Sequence, residues 1–101
     1  MFPAPSLLTL GTAMARHAGH VHQTVSSNLA RADVPGATAE EAGRFADALR
    51  GEAMRARDTG ERISVEREMV AMAQNAGRHD AAVAIWSKTL DLVRLAGASP
   101  R

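Results

Sequence analysis

The sequence predicts an all-α chain: two long terminal helices packed as a coiled-coil-like pair, joined by a turn and a short, partly helical, charged middle segment. Three observations predict it. Near the end, Val65, Met69, Met72, Ala76, His79, Val83, Trp86, Leu90 and Val93 recur with gaps that alternate four and three, the a/d spacing of a helix packed lengthwise on a partner. Near the start, Leu7, Gly11, Met14, Ala18, Val21, Val25, Asn28 and Ala32 alternate in the same way. Between the two seams lie turn signals and a tract of mixed charge.

Taken in order, Pro3 and Pro5 keep the entry extended, and Ser6 suits an N-cap because its hydroxyl accepts from free backbone donors. The first helix then spans 6–31, with Met14, Val21, Val25 and Leu29 as its packing or interface residues. Gly11 and Gly19 each cost it about 1 kcal/mol relative to Ala, yet a glycine on a packing face admits a close neighbour. Asp33-Val34-Pro35-Gly36 ends the helix, and Pro-Gly suits the centre of a type II turn. The segment 32–62 is expected to hold this turn and a middle helix from about Ala39 to Arg57, with Thr38 and Glu41 as a capping box and Ala42, Phe45, Ala46 and Leu49 as its apolar stripe. Eleven charged residues of both signs between Ala39 and Arg62 read as a solvated face. Asp58-Thr59-Gly60 reads as a turn. The last helix, 63–97, starts with Ser64 as N-cap and Glu66 and Glu68 in its first turns, where the macrodipole favours acids. Gly97 suits a left-handed C′ position, with Pro100 beyond it.

Composition bounds the function. The 101 residues form one domain, 1–101, and a chain of this size buries only about 60–65% of its unfolded surface. With two Phe, one Trp and no Tyr, the apolar share is mostly alanine, so much of the stabilising burial is expected from neighbouring subunits. A net charge of +1 with interleaved signs argues against nucleic acid. No apolar run reaches the ~20 residues of a membrane span, and the start lacks the basic n-region of a cleavable signal. Absence of Cys excludes disulfides and thiol chemistry.

No residues assemble a recognisable catalytic or ligand-binding motif. His17 and His20 share a helix face, but His22 points elsewhere and His79 lies on the other helix, so the four histidines read as solvated or packing residues and no metal or other cofactor is expected. Ser26 and Ser27 lack a nucleophile elbow, and the glycines form neither a dinucleotide fingerprint nor a P-loop, so no enzyme activity and no small-molecule substrate are expected. Met69, Met72 and Trp86 read as core or subunit interface. His79, a polar residue on the seam, is the type that sets register or partner choice.

Residues 28–36, Asn-Leu-Ala-Arg-Ala-Asp-Val-Pro-Gly, follow a helix that holds Met14, Ala15, Arg16 and His17. This stretch resembles the N-terminal signature of bacterial flagellar rod and hook proteins, Asn-x-Ala-Asn-x-x-Thr-Pro-Gly-aromatic. Asn28, Ala30, Pro35 and Gly36 match it, while Arg31, Val34 and Ala37 replace the second Asn, the Thr and the aromatic. Val65-Glu66-Arg67-Glu68-Met69, Met72-Ala73-Gln74-Asn75 and Arg78-His79 are similar to the closing helix of the proximal rod (FlgB) family, with His79 where an aromatic is usual. The resemblance implies a structural subunit of the flagellar basal-body rod. Such a subunit polymerises helically into the drive shaft around the export channel and leaves the cell through the type III apparatus without a cleavable signal peptide. Its implied partners are copies of itself, other rod subunits, and basal-body ring and export-gate components, at the periplasmic rod, with no direct membrane insertion. Asn28, Asp33, Pro35 and Gly36 then form an assembly turn. Two rivals differ in pattern. A secreted helical hairpin of the WXG type expects Trp-x-Gly in a central turn, whereas Trp86 lies deep in the last helix, and small cytoplasmic adaptors or export chaperones tend to be acidic.

Overall fold

A computed structural model describes residues 6–98. The readings of Pro3, Pro5 and Pro100 lie outside the described residues. The element order is α1 (Leu7–Ala30), β1 (Thr38–Glu41), α2 (Phe45–Leu49), β2 (Arg57–Arg62) and α3 (Val65–Ala98). The two long helices pack antiparallel along an elongated molecule of 67 × 29 × 14 Å. The fold is thus mostly helical with two long packed helices, and the expectation of an all-α chain is corrected by a small two-stranded antiparallel sheet.

Ser6 caps α1: its Oγ accepts from the Thr9 N–H at 3.0 Å. The buried face of α1 is Gly11, Ala13, Ala18, Val21, Thr24, Val25 and Asn28. After the helix, Ala37 N–H donates to the Val34 carbonyl at 3.1 Å, closing a turn with Pro35 and Gly36 at its centre. Gly36 has φ of 79°, the left-handed value that a type II turn requires at its third residue.

The expected middle helix is absent over most of its length. Thr38 and Glu41 open and close β1 instead of forming a capping box. Only Phe45–Leu49 is helical, with Ala48 buried against α1. That short helix stops at Gly51 (φ 75°), where Glu52 N–H reaches the Asp47 carbonyl and Gly51 N–H the Ala48 carbonyl, the paired bonds of a Schellman ending. The expected turn at Asp58-Thr59-Gly60 lies within β2. The strands pair Thr38 with Arg62, Glu40 with Asp58 and Glu41 with Arg57, so β2 bulges opposite Ala39. Gly60 (φ 73°) carries the bulge, and its N–H donates to Asp58 Oδ1. That bond and a 2.6 Å bond from Thr38 Oγ1 hold the Asp58 carboxyl below its usual range, the hydroxyl contributing most.

Ser64 accepts from the Arg67 N–H through its side chain and from the Glu68 N–H through its carbonyl, starting α3. The helix runs through Gly97, which takes no left-handed conformation, so the expected C′ stop is also corrected. The core between α1 and α3 is small: Ala13, Ala18, Val21, Val25 and Ala82 are buried with four polar residues, Thr24, Asn28, Asn75 and Thr89. The two threonines satisfy their hydroxyls on carbonyls of their own helices, His20 and Ile85.

Candidate functional site

The first junction centres on Asn28, in the last turn of α1 and only 1% exposed. Its amide nitrogen donates to the Glu40 carbonyl at 2.9 Å and to Glu68 Oε1 at 2.8 Å. Its oxygen accepts from the Glu40 N–H at 2.9 Å and from Arg31 Nη2 at 2.8 Å. All four hydrogen-bonding positions of the amide are filled. By bonding both backbone groups of Glu40, Asn28 acts as a further strand partner for β1 while it ties β1 and α1 to α3. Arg31 extends the junction through a 2.9 Å bond to the Thr38 carbonyl and a 3.4 Å approach to Glu40 Oε1. These bonds to β1 backbone groups add to its pairing with β2 and hold it extended where residue propensities favoured a helix.

A second junction lies at the middle of α1. His17 Nε2 and the Gly43 carbonyl are 2.9 Å apart, and the Gly43 N–H donates to His20 Nε2 at 2.8 Å. Two imidazoles on one helix face therefore grip one peptide unit on each side of Gly43. Phe45 stands edge-on to the His17 ring, with centroids 5.8 Å apart. Burial, with the neighbouring His17, lowers the pKa of His20 below the ordinary histidine value. Beside this junction runs an apolar groove of about 480 Å³, lined by Leu10, Met14, His17, Ala18, Phe45 and Arg78. Gly43 is fitted closely from the other side, because a Cβ there would lie 3.0 Å from the Arg55 backbone nitrogen.

The third feature is the face of α3. Against α1 it turns Glu68, Asn75, Ala82 and Thr89, one row spaced by sevens, and beside them Met72, Ile85 and Trp86. The expected seam shares Met72 and Trp86 with this face, both half-buried. Its other row, Met69, Ala76, Val83 and Leu90, lies one residue further on and is exposed, as are Val65, His79 and Val93. Of ten described large apolar side chains exposed to solvent, eight belong to α3. Asn75 donates to the Ala18 carbonyl at 2.7 Å, and its buried Oδ1 has no partner.

The remaining sequence candidates fall as follows. Val21 and Val25 are buried between the helices, and Met14 and Leu29 are half-buried. Asp33, Pro35 and Gly36 are exposed at the turn, one end of the molecule away from the histidine junction. Sequence reasoning placed His17 and His20 on one face but missed what they hold. The signal available was the pair of imidazoles one turn apart facing a glycine in the linker. It also missed Arg31 and Glu68 as partners of Asn28.

Among the described residues no group of three or more His, Asp or Glu converges as a metal site, and no helix is long and apolar enough to cross a membrane. No family model, curated protein or solved structure matches this chain.

Proposed function

We propose that this chain is a structural subunit of the bacterial flagellar basal-body rod, of the proximal rod kind, which assembles with copies of itself and with other rod subunits. The observation that carries the self-association is the exposed apolar row of α3. Val65, Met69, Val83, Leu90 and Val93 stand in solvent beside the face of the same helix that is already packed on α1. A row of exposed apolar side chains along one helix of a small chain marks an interaction surface. A helix-on-helix contact with a neighbouring subunit would cover it. The flagellar assignment rests on the resemblance at residues 28–36 and 65–79, and the Pro35–Gly36 turn and the fully bonded Asn28 give those residues a physical reason to be fixed in type.

On this reading the turn and ribbon aim an arm away from the helical pair toward an adjacent subunit, and export occurs through the flagellar type III route to the periplasmic rod. No residue performs chemistry. The test is deletion of the gene in its own bacterium followed by complementation. The deletion should abolish swimming, the parent should restore it, and Val83→Asp and Leu90→Asp should not. Normal swimming of the deletion strain sinks the flagellar reading. Normal swimming of both variants sinks the α3 surface.

A further inference from the structure

From the geometry of the histidine junction we infer that His17 and His20 form a proton-operated latch on Gly43, which releases the segment 42–56 from α1 when His20 takes up a proton. The bonds fix the protonation state of each ring. A carbonyl only accepts, so the 2.9 Å contact of the Gly43 oxygen requires a hydrogen on His17 Nε2. An N–H only donates, so the 2.8 Å bond from Gly43 requires a bare His20 Nε2 and places the His20 hydrogen on Nδ1. The latch is therefore asymmetric. Protonating His17 leaves its donor in place. Protonating His20 sets an N–H against the N–H of Gly43 and breaks that bond.

The surroundings offer the proton on His20 no counter-ion. On α1, Arg16 stands one turn back, and the neighbouring His17 disfavours a proton on His20. From α3, Arg78 lines the groove beside His17, and His79 and Asp80 line the neighbouring groove with Ala18, Gly19 and His22. On the middle segment, Glu41, Arg44, Asp47, Arg55 and Arg57 surround Gly43. Of these, Glu41 is bonded to Arg57 and Asp47 to Arg50, and no described carboxylate hydrogen-bonds either ring. The folded state thus disfavours the His20 proton. The unfolded chain binds more protons than the folded one, so the latch is fully held above the ordinary histidine pKa and is lost as pH falls below it and through the lowered folded value. Release would swing Phe45 off α1 and open the groove beside Leu10 and Met14.

The experiment follows the Gly43 amide of the full chain by hydrogen exchange and NMR, corrected for intrinsic exchange, at pH 7.5 and 5.0. In the parent, protection should fall about tenfold between the two, the weight of one hydrogen bond. His20→Gln, whose Oε1 accepts without titrating, should hold protection constant. His17→Gln, which keeps a donor, should retain the parent's pH dependence. A parent that is flat, a Gly43 amide already unprotected at pH 7.5, or His20→Gln that falls like the parent overturns the latch. If His20→Gln fails to protect Gly43 at either pH, the imidazole nitrogen shifts of the parent decide. His20 in the Nδ1–H form, titrating together with loss of Gly43 protection, supports the latch, and any other form overturns it.

Discussion

Along α1, the residues at heptad spacing from Gly11 to Asn28 are turned into the molecule, and the helix leaves little apolar surface outside. Along α3 the inward row is Glu68, Asn75, Ala82 and Thr89, polar or small, while valines, leucines and a methionine one residue away face solvent. Both helices belong to the same interface, yet they spend their apolar residues differently. The α1–α3 contact is specified by shape and hydrogen bonds: an alanine pair of faces, a glycine under a tryptophan, and two buried asparagines. The larger apolar side chains of α3 are left for something outside the chain. A helix that carries two faces links the fold of one molecule to association with another.

That contrast can be broken by experiment. Val25→Asp should cost about 4 kcal/mol in denaturant unfolding, because it buries an unpaired carboxylate where 5% of the valine is exposed. Asn28→Ala should cost about 3 kcal/mol, since it leaves both backbone groups of Glu40, the Glu68 carboxylate and an Arg31 hydrogen unpaired. A loss under 1 kcal/mol would mean that water replaces the amide without penalty. Gly36→Val should cost about 1–2 kcal/mol because a β-branched residue resists the left-handed region. Gly11→Ala and Gly77→Ala should move in opposite directions. At Gly11 a Cβ would stand 2.9 Å from Trp86 Cδ1, and the overpacking should outweigh the gain in helix propensity by about 1 kcal/mol. At Gly77 a Cβ meets nothing within 4 Å, so the same change should stabilise by up to about 1 kcal/mol. Val83→Asp closes the series: unfolding of the monomer should shift by less than about 0.5 kcal/mol, while sedimentation should lose any concentration-dependent association.

How much of this was legible in the residues follows the same division. The seam of α1, its Ser6 cap and the Pro35–Gly36 turn could be read because each rests on local chemistry with a fixed spacing. The face of α3 was displaced by one residue, since a search for apolar periodicity passes over Glu68, Asn75 and Thr89, which are inside because they have partners or back-bond to their own helix. The middle segment misled for a different reason. Alanine, glutamate and arginine favour a helix, and no alternation marks β2, all six residues of which are exposed. β1 is held by pairing with β2 and by the side chains of Asn28 and Arg31, which offer backbone partners at a distance that no local pattern records. The histidine junction was half visible: the shared face of His17 and His20 could be read from spacing, but Gly43 as their target could not.

The three ties between α1 and α3 also differ in how much chain each encloses. Asn28 with Glu68 encloses the least, Ala18 with Asn75 more, and Gly11 with Trp86 the most. Closing a loop costs entropy that grows only slowly with its length, about 0.6 kcal/mol per doubling, so once the first tie is made the next ones follow almost without further loop cost. The hairpin should therefore close like a zip that starts at Asn28 and finishes at Gly11. In stopped-flow experiments Asn28→Ala would then slow refolding, whereas Gly11→Ala would leave refolding unchanged and speed unfolding.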